Sequence, residues 1–343
     1  RALNVLNNVD YVVSNSNFTK NLAIDIGVNP EKIIVINPGI DPVKFIDKKS
    51  QVEAEKHLKN KNPDSKVILV CKDWVESVFH NNPNIDNVFS ISANQSRGVM
   101  NTVQTGLLLR AKKIDYFYTL TDSFRSALIM WLSNSRYRIG YNAQNRSILL
   151  TKYLDLPRTT IHRSKKYLNL IDRSEFNLNE RYIHLDDDEI KWAKEKMHRK
   201  NINNPVALFP FSVASSRTFP KKKINEWLSE SSENFVIFGA ENDRNNAKEI
   251  IQQNKNIKIT SFCGDYELRK SIALISSCKY AIAADSGLGH ISSIIGIPTI
   301  SFFGADRAIE TRPIGRHNVI IDKSELCNPC KKNICCLNSI NKS

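Results

Sequence analysis

The chain has 343 residues, 41% hydrophobic and 24% charged, with a formal net charge of +14. That length accommodates two ordinary domains, the composition excludes a disordered chain, and no apolar run is long enough to span a bilayer; the best, Ser126–Leu132, reads as a core segment. The basic surplus favours polyanionic partners, and without a zinc-finger, basic-zipper or aromatic-plus-basic RNA pattern a membrane surface or a phosphorylated acceptor is expected rather than nucleic acid.

In chain order, "RALNVLNNVD" lacks the basic start and apolar stretch of a signal peptide, and the missing initial Met suggests numbering that begins inside a longer reading frame. From about residue 63 to 170 the runs Lys66–Cys71, Asn87–Ile91, Tyr116–Leu120 and Tyr137–Tyr141 read as strands, with Arg125–Asn134 as a helix. Leu185–Lys200 reads as a linker helix, with acids first and bases last as its dipole prefers. Its Asp186-Asp187-Asp188 invites a metal–nucleotide reading, but helix capping accounts for the acids. The C-terminal half is more regular. Strand-like runs at Val206–Ser212, Phe235–Ala240, Ile257–Gly264, Tyr280–Asp285 and Pro298–Gly304 alternate with helix-like segments at Lys221–Ser231, Asn242–Asn254, Asp265–Cys278 and Gly287–Gly296. Such alternation implies a parallel, doubly wound sheet, whose ligands sit at the carboxyl ends of the strands.

Three strand ends carry chemistry. "AADSGLGH" leaves a buried run at Asp285 and begins a helix at Ser286, with Gly287 and Gly289 clearing space at unpaired backbone N–H groups. Taken alone, it fits an N-cap with small packing residues as well as it fits an anion site, and His290 reads either as structural or as part of that site. Arg217 follows the first strand of this half and Glu241 the second. A cation and two acids converging on one cleft suit a sugar nucleotide. Of seven cysteines, Cys71, Cys263 and Cys278 are expected to be buried thiols; Cys327, Cys330, Cys335 and Cys336 fit a reduced tail better than a zinc site.

The segment "AIAADSGLGHISSIIGIPTISFFGADRAIETRPIG" resembles the signature region of the lipopolysaccharide heptosyltransferases, family nine of the glycosyltransferases. "LFPFSVASSRTFPKKKINEW" is similar to that family's Pro-Gly-Ala…Lys-x-Trp-Pro segment, with Arg217 in place of Lys and Phe219 in place of Trp. "VIFGAENDRNNAKEI" fits its Gly-x-x-x-Asp/Glu segment, and "TLTDSFRSALIMWLSNSRYRIGYNAQNRSILLT" resembles a stretch of the second heptosyltransferase subgroup. "CNPC…CC" resembles the family's Cys-x-Pro-Cys tail. The resemblance covers about residues 60–336. It implies an α/β fold of GT-B type, two Rossmann-like domains facing a cleft, and inverting transfer of heptose from ADP-heptose to a lipopolysaccharide core acceptor. It implies no cofactor and no metal. Arg217 would hold phosphate, Glu241 a hydroxyl, and Asp285, Ser286, Gly287 and His290 the sugar nucleotide. The implied setting is cytoplasmic, peripheral at the anionic face of the inner membrane.

The family's catalytic base, an Asp in a Gly-Asp turn after the first strand, has no counterpart here. Val9–Phe45 instead resembles a linker region of the retaining family-four glycosyltransferases, so the N-terminal domain reads as lacking its own first strand. "KIIVIN" is a candidate edge or replacement strand, and Asp47, or alternatively Asp41, is the candidate base; either also fits a solvated turn carboxylate. The expected organisation is a family-four-like fragment at 1–47, an acceptor-side domain at 48–184, a nucleotide-sugar domain at 185–336 and a tail at 337–343. A transferase for another nucleotide sugar, or a nucleotide-sugar-binding relic without a base, fits the same motifs.

Overall fold

The computed structural model describes residues 12–14, 33–36, 66–92, 98–170 and 182–322. They form two compact units, one reaching residue 170 and the other starting at residue 182.

The first unit runs β1 (Val12–Ser14), β2 (Ile33–Ile36), β3 (Val67–Lys72), α1 (Asp73–Glu76), β4 (Asn87–Ile91), α2 (Val99–Arg110), β5 (Tyr116–Tyr118), α3 (Phe124–Leu132), β6 (Tyr137–Asn142), β7 (Lys152–Asp155) and α4 (Arg163–Asn169). Its strands are parallel, in the order β4-β3-β2-β1-β5-β6-β7. The strand in "KIIVIN" is therefore not an edge strand. Ile34 of β2 pairs with Ile68 of β3 on one side and Val13 of β1 on the other. The stretch read as a separate fragment supplies two inner strands. Every residue of β3 is buried, and Tyr116, Phe117 and Tyr118 are inaccessible to solvent, as in a sheet covered on both faces.

A buried arginine secures the loop after β5. Arg146 Nε donates to the Tyr141 carbonyl (2.8 Å), and Nη1 donates to the carbonyls of Thr121 and Ser123 and to Ser126 Oγ (3.2 Å). Asp122 lies 3.8 Å from Arg146 and accepts from Lys166 Nζ at 2.6 Å. Burial lowers the Arg146 guanidinium to about 10 against the opposing pull of Asp122, so it remains charged at neutral pH.

The second unit runs α5 (Asp187–Arg199), β8 (Val206–Phe209), α6 (Lys221–Ser229), β9 (Phe235–Ile237), α7 (Arg244–Gln253), β10 (Ile259–Ser261), α8 (Leu268–Ser276), β11 (Tyr280–Ala284), α9 (Gly287–Ile294), β12 (Thr299–Phe303), α10 (Ala308–Thr311) and β13 (Asn318–Asp322). Its parallel sheet has the order β10-β9-β8-β11-β12-β13. Renumbered within the unit, this is the 3-2-1-4-5-6 order of dinucleotide-binding sheets. Of the acid triplet, Asp186 caps α5, and Asp187 and Asp188 lie in its first turn. Asp186 Oδ1 accepts from the Glu189 N–H (2.8 Å), and Glu189 Oε2 accepts from the Asp186 N–H (2.9 Å). Glu189 also pairs with Arg269 at 2.5 Å, tying α5 to α8.

Cys71, Cys263 and Cys278 are buried and in no disulfide, as expected. Asp41, Asp47, Cys327, Cys330, Cys335 and Cys336 lie outside the described residues. Among the described residues no helix is long and apolar enough to cross a membrane.

Candidate functional site

In the second sheet the strand order reverses between β8 and β11. Connections leaving these neighbours diverge to opposite sides, which opens a crevice at their carboxyl ends. The loop after β8 is closed on itself there. The Ser212 N–H donates to Thr218 Oγ1 (3.0 Å), Thr218 Oγ1 donates back to the Ser212 carbonyl (3.2 Å), and the Phe219 N–H donates to the Pro210 carbonyl (2.9 Å). Phe219 is anchored edge-on against Trp227 and Phe302, with ring centroids 5.3 Å from each. This fixes Arg217 two residues earlier.

Arg217 Nη1 stands 3.7 Å from Asp285 Oδ2, after β11, and 3.9 Å from Asp306 Oδ2, after β12. Asp285 is only 3% exposed, and its carbonyl accepts a 3.0 Å hydrogen bond from Ser212 Oγ. One guanidinium and two carboxylates from three strand ends thus share a site. It offers a ligand donors for phosphate and acceptors for hydroxyls.

The start of α9 bears on the cap reading of "AADSGLGH". Ser286 occupies the N-cap in an extended conformation, yet its side chain makes no capping hydrogen bond. Its hydroxyl is buried and has no hydrogen-bond partner among the described residues. The cap reading therefore fails for Ser286, and the helix presents its first N–H groups without a side-chain cap beside the Arg217 cluster. Gly289 serves packing: a Cβ there would lie 2.8 Å from Ala283 Cβ of β11. Gly287 opens α9, and His290 is buried one turn further in.

Glu241 is placed differently. It follows β9, beside β8 in the sheet, but it is exposed and forms no ion pair with Arg217 among the described residues. Its backbone rests on Gly264, where φ is +69° and a Cβ would lie 2.6 Å from Glu241 Cα. Asp243, for which the sequence pattern carries no signal, holds this turn by accepting from the Ala240 N–H at 2.9 Å. A cavity of about 370 Å³ lies between the loop after β8 and the start of α7, lined by Ser212, Ser215, Thr218, Asp243 and Asn246 among others. Asp306 does carry a sequence signal: "FFGAD" sets an acid just past a strand end as "AIAAD" does.

The model of glycosyltransferase family 9 (heptosyltransferase) matches residues 104–341. The chain belongs to this family. Among curated family 9 relatives, lipooligosaccharide heptosyltransferase 2 of Haemophilus ducreyi is 23% identical over 289 residues, 77% of this chain and 82% of its own. Lipopolysaccharide heptosyltransferase 3 of Escherichia coli is 24% identical over 75% of this chain and 78% of its own, so no subgroup is singled out. The family 9 glycosyl transferase of Veillonella parvula has a similar structure, with a TM-score of 0.72 and 18% identity, covering 93% of this chain and 87% of that one. ADP-heptose lipopolysaccharide heptosyltransferase II of Escherichia coli superposes with a TM-score of 0.64 and 18% identity, covering 80% and 87%. This family 9 chain has their GT-B-like α/β fold.

Proposed function

We propose that this family 9 transferase moves heptose from ADP-heptose to a lipopolysaccharide core acceptor, with inversion at the anomeric carbon, at the cytoplasmic face of an inner membrane. The observation that carries the reading is the Arg217–Asp285 pair at the switch point of the second sheet, beside the start of α9. In this reading Arg217 and the α9 N–H groups take up the charge of the leaving diphosphate, so no metal is called for. Asp285, Ser286 and His290, with the open backbone at Gly287, hold the sugar nucleotide, and Glu241 takes a hydroxyl at its rim. Inversion requires a base that removes the acceptor hydroxyl proton as the oxygen attacks; Asp47 is assigned that role, with Asp41 as the alternative.

Purified protein assayed with ADP-heptose, other ADP-sugars and UDP-sugars tests the reading. ADP-heptose turnover is expected, with loss on Asp285→Ala and a fall in kcat on Asp47→Asn or Asp41→Asn. Undiminished turnover by Asp285→Ala refutes the donor site. Nucleotide binding by calorimetry without transfer from any donor refutes the activity and leaves a binding relic.

A further inference from the structure

The residues assigned to the donor belong to the second unit, whereas helices α2 and α3 belong to the first. Both link parallel strands running in the same direction, β4 to β5 and β5 to β6, so the two helices run parallel to each other. They are in close contact at Gly106, where a Cβ would stand 2.4 Å from Leu132 Cβ. Their outward faces are apolar. Met100, Val103 and Leu107 recur on α2 at spacings of three and four, and Phe124, Leu128 and Trp131 do the same on α3. Met100 is 79% exposed and Trp131 51%, while Leu107 and Phe124 are also exposed. The patch continues past the start of α3. The Phe124 N–H donates to Gln144 Oε1 (3.0 Å), and the same loop carries Ile148, which is 82% exposed. Large apolar side chains exposed together, rather than singly, mark an interaction surface.

Charge identifies the occupant. From Gly98 to Ile114 and from Ser123 to Leu154 there is no Asp or Glu, whereas Arg110, Lys113, Arg125 and Arg136 are exposed around the two helices. Outward aliphatic side chains, a Trp and a Phe, ringed by cations, with Asp122 before α3 held by Lys166 at 2.6 Å, match a bilayer interface. The apolar groups enter the headgroup–acyl boundary and the cations meet lipid phosphates. The helix starts carrying Met100 and Phe124 lie at the carboxyl edge of the first sheet, where doubly wound sheets receive ligands. We infer that the α2–α3 face, lying along both helices, is the surface by which this protein docks on an anionic phospholipid bilayer. The inference rests on the membrane-surface reading proposed above and specifies the face that makes the contact.

Co-sedimentation of the full chain with phosphatidylglycerol–phosphatidylethanolamine vesicles, and separately with phosphatidylcholine vesicles, tests it. Binding to the anionic vesicles is expected, with weakening in high salt and little binding to phosphatidylcholine. Each large side chain withdrawn from the interface costs roughly tenfold in partitioning, so M100Q/L107Q/W131Q falls below detection, and R110E/K113E also weakens binding. Brominated acyl chains are expected to quench a component of tryptophan fluorescence that is absent in Trp131→Phe, a variant that preserves the fold. Failure of the native chain to bind anionic vesicles overturns the membrane reading and this inference together. Full binding by the triple variant, or the same quenching in Trp131→Phe, overturns the face alone. A concentration-dependent dimer that the triple variant loses overturns the bilayer as occupant and assigns the face to a second copy of the chain.

Discussion

Arg217→Ala is the most informative single change, because it removes the cation standing between Asp285 and Asp306. At 3.7 and 3.9 Å each pair attracts by about 4 kcal/mol in the effective medium near a protein surface. Desolvation of the three groups offsets much of this, leaving a net destabilisation of about 2–3 kcal/mol, or a fall in Tm of about 5–10 °C for a unit of this size. The same change removes charged donors from the proposed diphosphate site, for an expected loss of about 10–100-fold in ADP affinity. Adding Asp285→Asn separates the two effects. It withdraws the buried charge that Arg217→Ala leaves exposed to repulsion from Asp306, so the double variant recovers at least half of the lost stability but none of the ADP affinity. Thermal unfolding and calorimetry read the two arms. Additive stability losses, within about 0.5 kcal/mol, would falsify the coupling of Arg217 to Asp285. Wild-type ADP affinity in Arg217→Ala would remove Arg217 from the donor site.

Arg146→Ala strands the carbonyls of Tyr141, Thr121 and Ser123 and leaves Asp122 with Lys166 alone, so urea denaturation is expected to show a loss of about 3–5 kcal/mol. Arg146→Lys recovers less than half of it, because an ammonium cannot serve diverging carbonyls as the guanidinium fork does. Burial raises the Cys263 thiol to about 11 and Cys278 to about 12, above the ordinary value near 8.5. A raised folded-state pKa favours the fold fully below the unfolded value, so this contribution is lost as pH rises through about 9–12. Unfolding midpoints measured across that range should fall, and both thiols should resist maleimide at pH 8 in the native state. Asp186→Ala breaks the capping box of α5 and is expected to cost about 1 kcal/mol by thermal unfolding, with no change in response to added divalent metal.

Local pattern was a good guide where one face or both faces of an element are buried. Val206–Ser212, Phe235–Ala240 and Tyr280–Asp285 read as strands because apolar runs between turn residues signal covered parallel strands, and the strands themselves end at Phe209, Ile237 and Ala284. Helix α2, strand β7 and helix α4 are among the first-unit elements without a clear sequence signal, each for a physical reason. Helix α2, "VMNTVQTGLLLR", has apolar residues on its outward as well as its inward side, so it shows no clear period. Strand β7, "KYLD", is largely exposed and lacks the buried run, and α4 is short and basic. β13, "NVIID", likewise lies at the sheet margin with no residue fully buried. Of the two candidate bases, Asp47 rests on a residue count back from Pro63 and Asp41 on its place after "IIVINPGI", signals that carry no geometry.

Whatever depends on neighbours along the chain was therefore contained in the sequence. Alternating strands and helices, the Asp186 cap and the burial of Cys71, Cys263 and Cys278 follow from periodicity, short-range hydrogen bonding and hydrophobicity. The order of the strands does not follow from those, because hydrogen bonds between strands carry no label of sequence distance. Only the tertiary structure put β2 inside the first sheet and β8 beside β11 in the second. That adjacency places Arg217 against Asp285 and brings Asp306 to the same guanidinium. It also leaves Glu241 apart on the next strand end, although sequence order had made all three strand ends look alike.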